Sequence, residues 1–365
     1  MKPIRIHSSV NREQAFLRPC LLALLVLFCS IPAWANKPES VKKKEFSKSF
    51  NATKNDNVNI DNRFGNINIS YWNKNEVYIQ VVVEAKARNE ERALSSINRV
   101  NIEMSKTGNT ISAVTSLREQ NINNGSNESF SINYYIQMPS GISCDLTQKY
   151  GNIIMPESNK GKCVLQVKYG NIQAGSFDKH LEIEAQYGNV DLKSVNTANL
   201  DLSYCGNASL TNASTLSIDC KYSGITIQKV NKLEMDTKYG SFDIEEVNQA
   251  NIDVKYNQGT IHLLKESLYL DELSYSTVNI KDVSPKFKSI YADSHYGNLN
   301  IDIPNVSFRV NAYGMKYGKY DIKGFNLVAS KIEDKVNHKS EVNGGNNGYI
   351  EFEGNNYGNL KIRER

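Results

Sequence analysis

The side chains whose type and spacing most suggest chemistry are acidic residues that recur every 17 to 21 positions. If the chain stacks with this period, neighbouring carboxylates lie about 5 Å apart. Such a row could bind Ca²⁺, which takes several oxygen ligands, or it could contact a polysaccharide. The row consists of Glu184, Asp201, Asp219, Asp236, Asp253, Glu272 and Asp293.

Lysines that lie two residues after several of the acidic positions give this row a second interpretation. Residues two apart on a β-strand face the same side, so the lysines would offset the carboxylate charges. We therefore predict a solvated surface row without a bound metal, whose candidate residues are Glu184, Asp201, Asp219, Asp236 and Asp253. The lysines are Lys149, Lys168, Lys221, Lys238, Lys255 and Lys316.

A tyrosine followed by Gly-Asn or a close relative is the second repeated feature, with outlying copies at Phe64 and Tyr357. Each tyrosine is an even number of residues from the apolar positions before it, and such residues of a strand face the same side. We therefore predict that the tyrosines stack as an inward-facing tyrosine ladder at one corner. Exposed tyrosines would instead offer a platform for sugars. The regular copies are Tyr150, Tyr169, Tyr187, Tyr204, Tyr222, Tyr239, Tyr256, Tyr275, Tyr296 and Tyr317.

The cysteine positions allow one disulfide. Cys144 and Cys163 each lie six places before a tyrosine, in successive repeats, so their Cα atoms would lie about 5 Å apart, within disulfide range. The alternative is a pair of inward thiols that pack as small hydrophobic groups. Cys205 and Cys220 occupy different places in their repeats, which disfavours a bridge between them.

Catalytic motifs are absent from the sequence. His180, His262, His295 and His338 fall at unrelated places in the repeats and lack metal-ligand spacing. The chain has no Gly-x-Ser-x-Gly, phosphate-loop or Cys-x-x-Cys motif. We predict that the protein is not an enzyme and needs no cofactor. The alternative is a polysaccharide-active enzyme on a parallel β-helix, although turns this short would not form the walls of a cleft.

The residues around each tyrosine predict the elements that position these rows. Places two, four and six before the tyrosine are mostly apolar or small, as in Leu216, Ile218 and Cys220 before Tyr222, and the intervening residues are polar. This alternation is typical of a β-strand. A repeat of about 18 residues is too short for a βαβ crossover. We predict an all-β fold, a single-stranded parallel β-helix (β-solenoid) with coils of about 17–21 residues.

The first part of the chain is less regular than the repeats. Residues 85–98 have helix-forming composition, and residues 100–114 resemble a hairpin that turns at Gly108. We therefore predict that residues 49–140 are the first coils with a small α/β insertion that caps the open end. The lysine-rich residues 36–48 are predicted to be flexible, and residues 141–365 to form the solenoid.

Residues 1–35 have the pattern of a cleaved signal peptide: a basic start, an apolar run and a small-x-small end. The run is too short to span a bilayer, so we predict an exported protein of the periplasm, cell surface or medium that does not span a membrane. Loss of four basic residues and Glu13 with this segment changes the formal charge from +4 to +1. A nearly neutral chain argues against a nucleic-acid partner.

The repeated motif resembles the exported β-strand-repeat family called putative adhesins. The resemblance is carried by Phe-Gly-Asn-Ile-Asn-Ile at 64–69, Val-Tyr-Ile-Gln-Val at 77–81 and the later Tyr-Gly-Asn-Ile copies. It covers nearly all of the chain after the leader, and the related head-GIN domains are similar in pattern. The resemblance implies a β-solenoid at the cell surface or in the periplasm. It implies no common ligand or binding residues.

These observations predict an exported, non-enzymatic protein with a structural or adhesive role at the cell envelope. A polysaccharide or a surface protein is the expected partner, because a repeating surface suits a repeating ligand. The alternative is a periplasmic scaffold or sensor without an extracellular ligand. We expect a monomer if both ends are capped, and end-to-end or lateral self-association if they are not.

Overall fold

A computed structural model of the protein describes residues 40–118, 129–333, 336–355 and 357–365. The predicted signal peptide, residues 1–35, lies outside the described residues. Within them the chain is almost entirely β-structure, with one short helix, and its strands hydrogen-bond into one sheet. The prediction of an all-β fold is confirmed. None of the helical structure described is long and apolar enough to cross a membrane.

The strands divide into an N-terminal region, a series of repeats and a C-terminal region. The N-terminal region contains β1 (Ser40–Asn51), β2 (Asn57–Arg63), β3 (Ile67–Tyr71), β4 (Glu76–Ala87), α1 (Glu90–Asn98), β5 (Val100–Thr107), β6 (Thr110–Leu117) and β7 (Ser129–Met138). The repeats contain β8 (Ser143–Lys149), β9 (Ile153–Ile154), β10 (Ser158–Asn159), β11 (Cys163–Lys168), β12 (Ile172–Ala174), β13 (Ser176–Gln186), β14 (Val190–Ser203), β15 (Ala208–Lys221), β16 (Gly224–Lys238), β17 (Ser241–Lys255), β18 (Gln258–Ser274), β19 (Thr277–Ile280), β20 (Ser289–His295) and β21 (Asn298–Ile303). The C-terminal region contains β22 (Phe308–Tyr313), β23 (Tyr320–Lys323), β24 (Leu327–Glu333), β25 (Asn337–Val342), β26 (Gly348–Glu353) and β27 (Asn359–Glu364).

The repeats pair in parallel, so that equivalent residues of successive repeats lie side by side. This register brings the apolar places into continuous buried rows, which form the core and need only small or medium side chains. We call one of them the inward row. It consists of Leu165, Ile183, Leu200, Ile218, Met235 and Ile252.

The tyrosine corner is formed by a left-handed residue. Glycine and asparagine adopt positive φ most readily, but here the tyrosine itself is left-handed, with φ of 49–60° at the nine tyrosines from Tyr150 to Tyr296. The following glycine is needed for close approach instead. A Cβ on Gly188 would lie 1.7 Å from the carbonyl oxygen of Gly170 in the neighbouring repeat.

The asparagine after this glycine links one repeat to the next. The backbone N–H of Asn171 donates to Oδ1 of Asn152 at 2.9 Å, and the backbone N–H of Asn189 donates to Oδ1 of Asn171 at the same distance. The N–H of Asn207 continues the series to Asn189 at 3.0 Å. At these three corners the asparagine N–H is therefore satisfied by a side chain from the adjacent repeat.

The N-terminal region extends the stack and covers its first repeat. Strand β2 pairs in parallel with β8 on one side and β6 on the other, and β3 pairs in parallel with β9 and β7. The hairpin β5–β6 and the antiparallel series β7–β4–β1 complete this end. Helix α1 lies within the predicted helical stretch, and Asn89 caps it by accepting a hydrogen bond from the Arg92 N–H.

The prediction of a flexible segment over residues 36–48 was wrong from Ser40 onward. Strand β1 pairs with β4 along its whole length, from Ser40–Ala87 to Asn51–Glu76. Its lysines lie on an outer strand of the sheet, where charged side chains discourage pairing with another chain. Lysine-rich composition was therefore a property of an edge strand and was not a sign of missing structure.

The C-terminal region does not stack in chain order. Strands β26 and β27 lie between β20–β21 on one side and β22–β23 on the other. The hairpin β24–β25 then pairs antiparallel with β22. The repeat of Tyr357 is the last along the chain, but it lies inside the stack, and the repeat of Tyr317 lies beyond it.

Candidate binding surface

Twelve aromatic rings form one continuous row along the stack, which we call the tyrosine ladder. Neighbouring ring centroids are 4.7–5.1 Å apart, and the ring planes lie within 12° of each other except for 24° at the last pair. In spatial order the ladder is Phe64, Tyr150, Tyr169, Tyr187, Tyr204, Tyr222, Tyr239, Tyr256, Tyr275, Tyr296, Tyr357 and Tyr317.

The predicted stacking is present, but the predicted inward orientation was wrong. The tyrosines of the ladder are 42–60% exposed. The left-handed φ at the corner interrupts the alternation of the strand, so the parity of the preceding residues no longer tells which way the ring points. Because stacked neighbours cover both faces of the tyrosines inside the ladder, the exposed parts of these residues are the ring edges and the phenol hydroxyl groups.

Tyrosine is an unusual residue for the left-handed conformation at this position. The left-handed conformation costs an L-residue about 1–2 kcal/mol, and stacking contributes about 0.5–1.5 kcal/mol per ring pair. These two effects nearly cancel, while asparagine or glycine would adopt the same φ at less cost. An exposed aromatic in a strained conformation at nine successive repeats therefore marks the ladder as a candidate binding surface.

The two ends of the ladder differ. At the N-terminal end, Phe130 packs on Phe64 with a centroid distance of 5.1 Å and a tilt of 57°. At the other end, Tyr317 is 60% exposed and stacks on Tyr357 alone among the described residues. Among the described residues, no second aromatic ring therefore covers Tyr317 at the C-terminal end.

Lysines border the ladder near both ends. The Nζ atoms of Lys149 and Lys168 lie 5.3 and 5.6 Å from the ring centroids of Tyr150 and Tyr169, and Lys316 lies 5.1 Å from that of Tyr317. These are cation–π distances. The lysines add positive charge to a surface whose other exposed groups are neutral phenols.

The predicted acidic row is real as a geometric feature. Parallel pairing places Glu184, Asp201, Asp219, Asp236, Asp253 and Glu272 side by side in successive repeats. Lysines accompany its carboxylates. Lys221 lies 3.2 Å from Asp219, and Lys238 lies 3.0 Å from Asp236.

Charge on this face is shared between acids and lysines. The hydrogen bond to Asp219 raises the pKa of Lys221, which keeps the ammonium group charged. Burial and the neighbouring carboxylates raise the pKa of Asp253. The pairs that the structure shows are those expected of a solvated, charge-balanced face.

Cys144 and Cys163 are directly paired in β8 and β11, and their Sγ atoms are 3.2 Å apart. Both are buried free thiols. The contact with Cys163, together with burial, raises the pKa of Cys144. Cys205 and Cys220 are also buried free thiols, and burial raises the pKa of Cys220 to about 11.

One cluster was missed by the sequence analysis. His262 lies beside Asp243 and Glu245, although the histidines were expected to stand at unrelated places. The signal was present, because Glu245 and His262 are each six places after a tyrosine and Asp243 is four places after one. Two other histidines lie apart from this cluster: His295 contacts Asp293 at 3.6 Å, and His338 stacks on Tyr320.

Comparison with known proteins gives no family assignment. No family model matches the chain, and no curated protein matches it. Among solved structures, a putative cell adhesion protein from Clostridium sporogenes is 13% identical, with 89% of this chain and 100% of that chain covered and a TM-score of 0.21. A putative adhesin from Parabacteroides distasonis is 12% identical over 71% of this chain and 93% of that chain, with a TM-score of 0.31.

A putative lipid binding protein from Parabacteroides distasonis is similar to the same extent. It is 9% identical over 71% of this chain and 93% of that chain, with a TM-score of 0.30. Because the identities and TM-scores are all this low, these likenesses carry no argument about what the chain binds.

Proposed function

We propose that this chain is an exported, non-enzymatic adhesin of the cell envelope, folded as a single-stranded parallel β-helix, whose tyrosine ladder binds a linear polysaccharide. The observation that carries the proposal is the ladder itself. It is a single row of exposed phenols that runs the length of the stack at one ring per repeat.

The β-helix is supported by the pairing of the repeats. Every strand from β13 to β18 pairs in parallel with the strand of the next repeat, over most of its length. Parallel pairing of strands that are only one repeat apart is what one turn of a β-helix per repeat would produce. The single row of rings supports the same conclusion, since each repeat contributes one ring.

The ladder suits a partner that repeats along one axis. Its hydroxyl groups donate and accept hydrogen bonds, and sugar hydroxyls do the same, so an extended polysaccharide could contact several repeats at once. A sugar ring could not stack on most of the tyrosines, because their faces are covered. The expected contacts are therefore hydrogen bonds to phenol oxygens and apolar contacts with ring edges.

The test is electrophoresis of the protein through native gels that contain a neutral β-glucan or an acidic polysaccharide such as alginate. We expect at least one polymer to retard the wild-type protein. Replacement of three adjacent ladder residues, Tyr204→Asn, Tyr222→Asn and Tyr239→Asn, should abolish the retardation, because asparagine tolerates the left-handed φ but removes the ring. Tyr269→Asn is the matched control, since Tyr269 is also exposed but lies outside the ladder.

Three results would contradict the proposal. Unchanged migration in every gel would favour a scaffold without a polysaccharide ligand. Cleared zones after staining for polymer would identify a polysaccharide-degrading enzyme. Equal loss of retardation in the Tyr269 control would mean that the binding surface is elsewhere.

A further inference from the structure

We propose that Asp243, Glu245 and His262 form a surface binding site for a first-row divalent metal ion such as Zn²⁺. The site is independent of the tyrosine ladder. It lies on the outer face of β17 and β18, four to six residues after the tyrosine corner.

The core fixes the backbone that carries the three side chains. Ile244 and Ile261 are fully buried and are register partners in the parallel pair β17–β18. Asp243 and Glu245 flank Ile244, and His262 follows Ile261. All three side chains therefore project from the same outward face, on two adjacent strands whose spacing is set by backbone hydrogen bonds.

The distances among the polar atoms are close to those of a coordinated ion. Nε2 of His262 lies 3.1 Å from Oδ1 of Asp243 and 3.8 Å from Oε1 of Glu245. One ligand atom from each residue can be chosen so that all lie within 4.8 Å of one another. Tetrahedral zinc with bonds of about 2.0–2.1 Å separates its ligand atoms by about 3.3 Å. Small side-chain rotations would therefore suffice.

The charge at the cluster also favours a cation. The nearby lysines, Lys229 and Lys265, form ion pairs with Glu246, at 2.9 and 2.6 Å, and not with Asp243 or Glu245. Lys281 follows Ile280, the register partner of Ile261, and makes no ion pair with either carboxylate in the part of the chain that the structure describes. The acidic row differs, because three of its carboxylates, those of Asp219, Asp236 and Glu272, each contact a lysine.

The donor set indicates which metal the site would take. One imidazole nitrogen with two carboxylates suits zinc and other first-row divalent ions, whereas Ca²⁺ and Mg²⁺ favour oxygen ligands alone. Three protein ligands leave a coordination position open to water or to a ligand from outside. The ligand residues are also not a general feature of the repeat, because other repeats have Lys193, Gln228 and Lys281 six places after the tyrosine.

The test is Zn²⁺ binding to the full-length protein, measured by competition with a chromophoric chelator in the absence of polysaccharide. We expect His262→Asn to lower the affinity of one site at least tenfold, and Glu245→Gln to weaken the same site. His295→Asn is the matched control, because that variant removes an imidazole that contacts Asp293 but belongs to no group of three possible ligands among the described residues, and it should bind Zn²⁺ as the wild type does.

Wild-type affinity in the His262→Asn variant would overturn the site, and so would an equal loss in the His295→Asn control. His262 is half-buried and His295 is exposed, and the circular dichroism of both variants should match that of the wild type. The result is separate from that of the ladder: a protein that binds zinc but no polysaccharide would retain this site and refute the proposed function.

Discussion

The inward row and the tyrosine ladder each take one residue from every repeat, yet they differ in conformation and exposure. Residues of the inward row are buried and have ordinary strand geometry. The ladder residues are half exposed, and most have left-handed backbones. The same period therefore serves two purposes. One row holds the repeats together, and the other presents a surface that adds little to stability.

The largest expected effect concerns the inward row. Ile183→Ala would leave a cavity between Leu165 and Leu200, with a loss of about 2–5 kcal/mol in the free energy of unfolding. Urea denaturation followed by circular dichroism measures this change. Glu182→Ala, the exposed neighbour on the same strand, is the control and should change stability by about 0.5 kcal/mol or less. Similar effects of the two variants would remove the distinction between the rows.

A covalent link within the buried rows should be the next largest effect. Oxidised glutathione would take up the two electrons and two protons released as Cys144 and Cys163 join in a disulfide, because their Sγ atoms are already 3.2 Å apart. A closed loop of this size stabilises a protein by about 3 kcal/mol. Mass spectrometry of non-reduced peptides should show this link.

Cys205 and Cys220 are the control pair for this oxidation. Cys205 and Cys220 should stay reduced under the same conditions, since their sulfur atoms contact backbone oxygens instead of each other. A disulfide between Cys205 and Cys220, or no disulfide between Cys144 and Cys163, would contradict the expectation that strand register decides which cysteines are oxidised.

The corner glycines allow the repeats to approach each other. Gly188→Ala would place a methyl group 1.7 Å from the carbonyl oxygen of Gly170 and should cost about 1–3 kcal/mol, because the corner must open. The midpoint of thermal unfolding reports the change. Gly141→Ala is the matched control, since nothing lies within 4 Å of its added methyl group. An unchanged midpoint for Gly188→Ala would show that the corner is not closely packed.

The smallest expected effect on stability comes from the ladder. Tyr239→Asn removes stacking on Tyr222 and Tyr256 but relieves the left-handed strain, so the net change should stay within about 1 kcal/mol. Urea denaturation of this variant beside Ile183→Ala tests the comparison directly. A loss as large as that of Ile183→Ala would mean that the ladder is part of the core after all.

The alternation of apolar and polar residues predicted the inward rows, because period two is a local property of a strand. It could not predict the orientation of the tyrosines, since one left-handed residue per repeat ends the alternation. The cluster of Asp243, Glu245 and His262 became visible only when place in the repeat was combined with strand pairing. Strand β1 was missed because an edge strand with many lysines has the composition of a disordered segment.

The position of Tyr357 depends on information that local patterns do not contain. Its ring lies between those of Tyr296 and Tyr317, although Tyr317 comes first along the chain. A sequence repeat shows that a further unit exists, but it gives no order of stacking once a hairpin separates two units.

The interleaving of β26–β27 sets a condition on how the protein can be assembled. When the chain emerges from a ribosome or a translocation pore from its first residue, β22 and β23 appear before the strands that must lie between them and β20–β21. The stack of strands therefore cannot be completed in chain order. Either β22–β23 stay unpaired until β26–β27 have paired with β20–β21, or β26–β27 insert between strands that are already present. A chain truncated before residue 348 would lack strands from the interior of the stack.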